Sequence, residues 1–481
     1  MDLLDRAEAL RKATLLALKP EEQSARGQYF TPLPAARILA GLPRIPEGSS
    51  VRILDPGAGT GILAAAIAER LHAARPELRL HITVVENDAA LHPALQETLR
   101  SISGSTGATF DLIDADFLPW ALSTSSRYNV VIQNPPYAKL RTGSTPQNSL
   151  RAAGINVPNV YAAFLALGLR LLDRGGQQVA ITPRSWMNGP YYSPFRRELV
   201  STAGINAVHT FESRSKIFGD MGVLQESIVV AATVGETPRD VVIHTSHDHS
   251  SAPSSRTVSY QDIVTHDFIH VPATEEDAQA VKWMTDHAPY TLADLGLTVS
   301  TGKVVDFRSR ELLHHEQIDG AVPMVNASHL RGGVTQHPVG TKKPEWFHAD
   351  SVSDSRLLVP QGTYVLTKRF SAKEERRRVV AGVWQSSEPV AFDNKVNYIH
   401  QHGGGMNEQV AHGLAVFLNS TQLDNYFRVF SGHTQVNATD LRQMGFPSIE
   451  QLWALGDAGV GDQISIDAAT ESVVAPVSVA A

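Results

Sequence analysis

Four consecutive residues, Asn134-Pro135-Pro136-Tyr137, stand directly after the apolar run Tyr128 to Ile132 and match the needs of chemistry at a planar amino nitrogen. Such a nitrogen is a poor nucleophile because its lone pair is conjugated into the neighbouring π-system. An Asn side-chain oxygen and the next backbone carbonyl can each accept one N–H, drawing the nitrogen toward a tetrahedral shape and aiming its lone pair. The two prolines keep that backbone stiff. The Tyr137 ring offers a face on which a flat base or amide can stack.

The elements that would position this tetrapeptide are legible upstream. Val51 to Leu54 reads as a short strand running into Asp55-Pro56-Gly57-Ala58-Gly59-Thr60-Gly61, and Ile62 to Leu71 reads as an Ala-rich helix. Glycines let the backbone turn sharply and let a ligand approach with no Cβ in the way. Many nucleotide enzymes share such a turn, but Asp55 at the strand end suits a cationic ligand, such as the amino-acid part of S-adenosylmethionine, and would repel a pyrophosphate. No P-loop lysine follows. The next strand, His81 to Val85, ends in Glu86-Asn87-Asp88, which sets Glu86, with Asn87 beside it, where a ribose diol lies in a doubly wound sheet. At a third strand end, Asp116 could accept from a cofactor adenine with Phe117 beside the ring. The alternative is that Glu86 and Asp116 only cap the helices that follow.

Gly27-Gln28-Tyr29-Phe30-Thr31-Pro32, the Asp55 turn and Asn134-Pro135-Pro136-Tyr137, in that order, resemble the gamma group of amino-directed DNA methyltransferases, the N6-adenine enzymes of type II restriction–modification systems. The resemblance implies a doubly wound, mostly parallel, Rossmann-like α/β domain with S-adenosyl-L-methionine as cofactor. It implies that Tyr29, Phe30, Thr31 and Pro32 line the methionine end, that Asp55, Pro56, Gly57 and Gly59 contact the cofactor, and that Glu86 and Asn87 take its ribose. Asp116 and Phe117 would take its adenine, with Asn134 bordering both cofactor and target. Tyr137 and Phe218 would hold the faces of an extruded base; Phe211 competes with Phe218, and either could be core.

Further strands at Gln178 to Thr182, Ile205 to Phe211 and Glu226 to Thr233 would complete a sheet of about seven, with Tyr161 to Leu172 as a helical crossover. Ser185-Trp186 resembles a loop that such enzymes carry near the site. Thr142 to Asn156, polar with Gly and Ser, is expected to be a mobile substrate-side loop. The expected division is a catalytic domain over 1–235, a linker over 236–287, a mixed α+β DNA target-recognition domain over 288–450 and a disordered tail over 451–481. His244, His247, His249 and Asp248 fall in that linker and are read as solvated, with no metal expected.

In the second half a basic run, Lys368, Arg369, Lys373, Arg376, Arg377 and Arg378, is the best phosphate-contact candidate, the alternative being a solvated face bridged by Glu374 and Glu375. Asn394, Lys395, His433, Gln435 and Asn437 add groups able to read base edges. Asn419 to Phe430 is expected to be helical.

The 481 residues suit two or three domains, and 42% hydrophobic with 19% charged residues fits a soluble globular chain with no membrane segment. The absence of cysteine excludes disulfides and a Cys nucleophile and fits a reducing cytoplasm. A net charge of −7 requires any nucleic-acid surface to be local. The expected partner is double-stranded DNA, with a separate cognate restriction endonuclease left open. The rivals are amino methylation of cytosine, a protein-glutamine or RNA methyltransferase, and a non-catalytic DNA-specificity protein. Ala288 to Pro447 argues against the shorter protein and RNA enzymes.

Overall fold

A computed structural model describes residues 2–18, 30–211, 227–265, 268–331, 333–371, 375–431, 435–459 and 461–476. The chain divides into two compact units, Met1–Ala273 and Thr274–Ala481.

In the first unit, apolar runs bounded by glycine or polar residues become strands, and segments with helical spacing become helices. The order is α1 (Leu3–Ala17), α2 (Leu33–Gly41), β1 (Ser50–Pro56), α3 (Ile62–Ala74), β2 (Arg79–Val85), α4 (His92–Thr106), β3 (Thr109–Ile113), α5 (Phe117–Ser123), β4 (Tyr128–Gln133), α6 (Thr145–Ala152), α7 (Val160–Arg170), β5 (Leu172–Pro183), α8 (Ser193–Thr202), β6 (Ala203–Phe211), β7 (Ser227–Val234), β8 (Asp240–Ser246) and β9 (Ser254–Ser259). The sheet runs β3-β2-β1-β4-β5-β7-β6-β8-β9. β1 pairs in parallel with β2 and β4, whereas β7 lies antiparallel between β5 and β6. α1 to α4 bury one apolar face of the sheet, through Leu39, Ile67 and Leu99 among others. α5, α7 and α8 cover the other, through Phe117, Leu165 and Leu199. The strand order reverses between β1 and β4, which opens a crevice at their carboxyl ends.

Two expectations fail here. The sheet has nine strands rather than about seven, because the segment expected to be a linker supplies β8 and β9. β8 pairs in parallel with β6, and β9 folds back on β8. Exposed and half-buried polar residues alternate there with Val241, Ile243 and Val258, which join the core. The turn of this edge hairpin is tied by the Asp248 carboxylate, which accepts from the Ser250 and Ser251 amides at 2.9 Å each. The Thr142–Asn156 segment is likewise not an irregular loop, since α6 is capped by Ser144 and buries Gln147 and Leu150.

The second unit begins with α9 (Glu275–His287), which opens on a Thr274–Asp277 capping box. It contains β10 (Thr298–Thr301), β11 (Val322–Val325), β12 (Gly362–Lys368), β13 (Ala381–Ser386), β14 (Val390–Phe392) and β15 (Val396–His400). β12 is central to its larger sheet, antiparallel to both β13 and β15. α10 (Glu408–Leu418), α11 (Thr421–Phe430), α12 (Ala438–Gln443), α13 (Ile449–Ala458) and α14 (Gln463–Val474) follow. The expected disordered tail is therefore mostly helical. A Cβ at Gly413 of α10 would stand 1.8 Å from the Leu452 carbonyl oxygen, so α13 docks where only glycine allows the approach. Asp467 of α14 accepts from the Thr421 amide at 2.7 Å. Among the described residues no helix is long and apolar enough to cross a membrane, and no group of acidic and imidazole side chains has metal-site geometry.

Candidate active site

The glycine turn after β1 is held by its neighbours. The amides of Gly57 and Ala58 donate to the Val85 carbonyl at 2.8 and 3.2 Å, and Gly59 donates to Glu86 Oε2 at 2.8 Å. Gly57, Gly59 and Gly61 have φ of +69°, +57° and +82°, a region where other residues are strained. Asp55 is fully buried one layer beneath the turn: Oδ2 accepts from the Ala64 amide at 3.1 Å, and Oδ1 has no hydrogen-bond partner. Burial pushes its carboxyl up to about 8, with the nearby Glu86 charge acting in the same direction.

Glu86, 5% exposed, clamps the turn to the β2 end, since Oε1 also accepts from the Asp88 amide at 2.9 Å. Burial pushes its carboxyl up, against the pull of these amide bonds. Asp116 is the N-cap of α5, with Oδ1 accepting from Leu118 at 3.0 Å, and Phe117 packs 4.6 Å from Phe164 of α7.

Thr31 and Phe30 lie buried before α2, with Pro32 at its N-cap position. Asn134 Nδ2 donates to Thr31 Oγ1 at 3.0 Å, joining positions 103 residues apart. Pro135 is buried and Tyr137 half-buried. The Tyr137 hydroxyl donates to the Ile181 carbonyl at 3.4 Å, and its ring meets Tyr161 edge-on at 6.2 Å. The Tyr161 hydroxyl bonds Ser185 at 2.9 Å, which ties the Ser185-Trp186 segment to the same wall.

Part of this assembly borders one cavity of ≈ 390 Å³. Of the sequence-derived residues it brings together Phe30, Thr31, Gly57, Gly59, Glu86, Asn87, Asp116, Phe117, Asn134 and Pro136. Asp55, Pro32, Pro56, Pro135 and Tyr137 stand behind this wall rather than on it. Lys139, Arg141, Leu91 and Phe164 also line the cavity and escaped sequence reasoning, whereas Ser144 and Pro146 come from the segment expected on the substrate side. The wholly apolar face of α7 was a usable signal for Phe164; Lys139 and Arg141 had only their closeness to Asn134. Tyr29, Phe218 and His433 lie outside the described residues.

Against known proteins, residues 84–218 match the family model of the Eco57I restriction-modification methylase. Type II methyltransferase M.BsuBI of Bacillus subtilis is 38% identical over 459 residues, covering 91% of this chain and 90% of the relative. The chain belongs to the type II methyltransferase family. M.PstI of Providencia stuartii is 36% identical, with 96% of this methyltransferase and 95% of the relative covered. The type IIL restriction-modification enzyme MmeI, solved in complex with DNA, superposes with a TM-score of 0.55 at 12% identity, covering 98% of this methyltransferase and 74% of that chain, which is a likeness of fold.

In its second unit the sequence-derived polar residues of this methyltransferase part company. Arg369 donates to the Asn394 carbonyl at 3.1 Å, its amide donates to the Lys395 carbonyl at 3.0 Å, and Phe370 bridges to Gln435. Lys368, Arg369, Asn394, Lys395 and Gln435 thus form one neighbourhood. Arg377 turns instead to α11, donating to the Ser420 carbonyl and Thr421 Oγ1 at 3.2 and 3.3 Å. Arg378 is wholly buried over the Phe427 ring. Asn437 is occupied in the capping box of α12, while Arg376 is exposed away from the cluster, beside α11.

Proposed function

We propose that this enzyme transfers a methyl group from S-adenosyl-L-methionine to the exocyclic amino group of adenine within a specific sequence of duplex DNA, as the modification member of a restriction–modification system. The observation that carries the reading is the single cavity shared by the glycine turn, Glu86, Asp116 and Asn134. Its donor set fits the cofactor. A buried carboxylate oxygen without a partner lies under the turn for an ammonium group, Glu86 has acceptor capacity for a diol, and Asp116 with Phe117 suits an adenine. When bound there, the cofactor supplies an electrophilic methyl on a sulfonium.

The chain's own part is orientation. The Asn134 side-chain oxygen and the Pro135 carbonyl accept the two amino protons of the base and turn its lone pair toward the methyl. The Thr31 hydroxyl fixes the amide by accepting from Nδ2, which leaves Oδ1 as the group presented to the substrate. Tyr137 stacks on a base extruded from the duplex, its ring anchored by Ile181 and Tyr161, and Phe218 is assigned the opposite face. No covalent enzyme intermediate is required, in keeping with a chain that has no cysteine. The near-full-length match to type II methyltransferases and the DNA-bound state of MmeI support duplex DNA as substrate. Adenine rests on the resemblance of the Asn-Pro-Pro-Tyr motif.

Genomic DNA exposed to the protein and isotope-labelled cofactor should carry N6-methyladenine at one sequence, mapped at base resolution. Asn134→Ala should abolish transfer while still binding cofactor. Label in cytosine would overturn the base, and label in RNA or protein the substrate.

A further inference from the structure

Phe307 and Phe370 are 68% and 51% exposed. Isolated exposed apolar side chains are ordinary on any surface, but these two belong to one built patch of the second unit. Phe307 rides on a pinned turn: the Arg308 and Ser309 amides donate to the Val305 carbonyl at 2.9 and 3.1 Å, and Val304 and Asn394 tie the turn to the end of β14. Next to Phe307, Asp306 pairs with Lys395. From Lys395 and Asn394 the backbone bonds run to Arg369, whose guanidinium lies 5.8 Å from the Phe370 ring centre. At the other end Arg308 lies 5.4 Å from the Phe307 ring centre.

A cavity of ≈ 450 Å³ opens on this patch, with Phe307, Arg310, Pro344, Asn394 and Lys395 on its wall. It shares no lining residue with the cavity of the first unit. Among the described residues no carboxylate stands within salt-bridge distance of Arg308, Arg310, Lys368 or Arg369. Four cations with no carboxylate partner among the described residues, set around exposed aromatic rings in a chain of net charge −7, match a polyanion with flat stacking groups. An acidic protein would satisfy the cations without needing the rings or the adjoining cavity.

We propose that this patch is a base-stacking site for the bound DNA: Phe307 packs on a nucleobase unstacked from the duplex, and the adjoining cavity receives it. Arg310 and Asn394 meet the polar edge of that base. Arg308, Lys368 and Arg369 neutralise the flanking phosphates, with Phe370 as a second stacking face. The site rests on the reading of duplex DNA as substrate and adds to it a second unstacked base, apart from the methylated one.

The test uses the full chain and a short duplex carrying the methylated sequence, once that has been mapped. Phe307→Ala should weaken duplex binding about 5- to 150-fold by fluorescence anisotropy. Its melting temperature and cofactor affinity should be unchanged. Phe307→Trp should bind within threefold of wild type, and Ile318→Ala, another exposed apolar change in the same unit, should have no effect. In a series of duplexes with one abasic nucleotide at each position, wild type and Phe307→Ala should converge where the stacked base is missing. Binding by Phe307→Ala within twofold of wild type, or a loss with no converging position, overturns the proposal. Wild-type protein that bound no duplex would overturn the site and the DNA reading together, an outcome distinct from either of those.

Discussion

Glu86 is the residue where a structural clamp and a cofactor ligand can be separated by one substitution. Its two oxygens accept from the Gly59 and Asp88 amides at 2.8 and 2.9 Å, and the residue lines the cavity. A carboxylate has about four acceptor positions, so two are left for the hydroxyls of a ribose. Glu86→Gln keeps the shape but replaces one oxygen by an NH2 donor. One ribose hydroxyl then loses its acceptor, and so does one backbone amide. A hydrogen bond to a charged group is worth about 1.5–3 kcal/mol, which makes cofactor binding roughly 10- to 150-fold weaker. The orphaned amide costs about 1–3 kcal/mol of stability, a fall of roughly 2–10 °C in melting temperature for a unit of this size. Titration calorimetry with S-adenosylmethionine and thermal melting of the same samples give both numbers. Because burial raises the Glu86 carboxyl, wild-type affinity should also fall on acidification at a higher pH than an ordinary glutamate would dictate. A Glu86→Gln protein that melts lower yet binds cofactor within threefold of wild type would refute the ribose assignment and leave Glu86 as the clamp of the turn alone.

Two further outcomes follow from the same site. The Asp55 carboxyl, raised by burial from 3.8 to about 8, stabilises the ligand-free fold most below pH 3.8, and that contribution is lost as pH rises through 8. An ammonium ligand prefers the ionised form, so cofactor affinity should rise as pH approaches about 8; Asp55→Asn should flatten both profiles, and calorimetry showing a pH-independent affinity for wild type would remove Asp55 from the ligand set. Thr31→Val deletes the acceptor that fixes the Asn134 amide, and kcat should drop about tenfold with cofactor affinity little changed, whereas Thr31→Ser should restore it; equal loss in both variants would point to packing instead.

The family match spans both units. The matched relatives cover 91% and 96% of the chain, so the second unit, and not the first alone, is part of what the family retains. That unit holds Arg308, Arg310, Lys368 and Arg369, which have no carboxylate partner among the described residues, and the exposed rings, while the first holds the cavity beside Asn134. An overall charge of −7 says little about either, because the basic residues that matter are few and local.

Local features were legible from the residues alone. Glycines at 57, 59 and 61 announced positive φ, apolar runs announced β1, β2 and β4, and acids at successive strand ends marked one rim of the sheet. The helix expected over Asn419 to Phe430 forms over Thr421–Phe430. Each of these depends on side-chain identity and short-range geometry, which a sequence states directly. What it could not state was which distant groups meet. Thr31 reaches Asn134, and Glu86 reaches back to Gly59, because helices and strands bury their apolar faces against one another and carry polar side chains along. The same long-range packing drew residues 240–259 into the sheet as an edge hairpin and docked α13 against Gly413. It also divided one basic run, turning Arg377 and Arg378 inward to α11 and leaving Lys368 and Arg369 beside the exposed rings. The chemistry available to this protein was written in its residue types; where that chemistry is gathered was decided by burial between segments far apart in the chain.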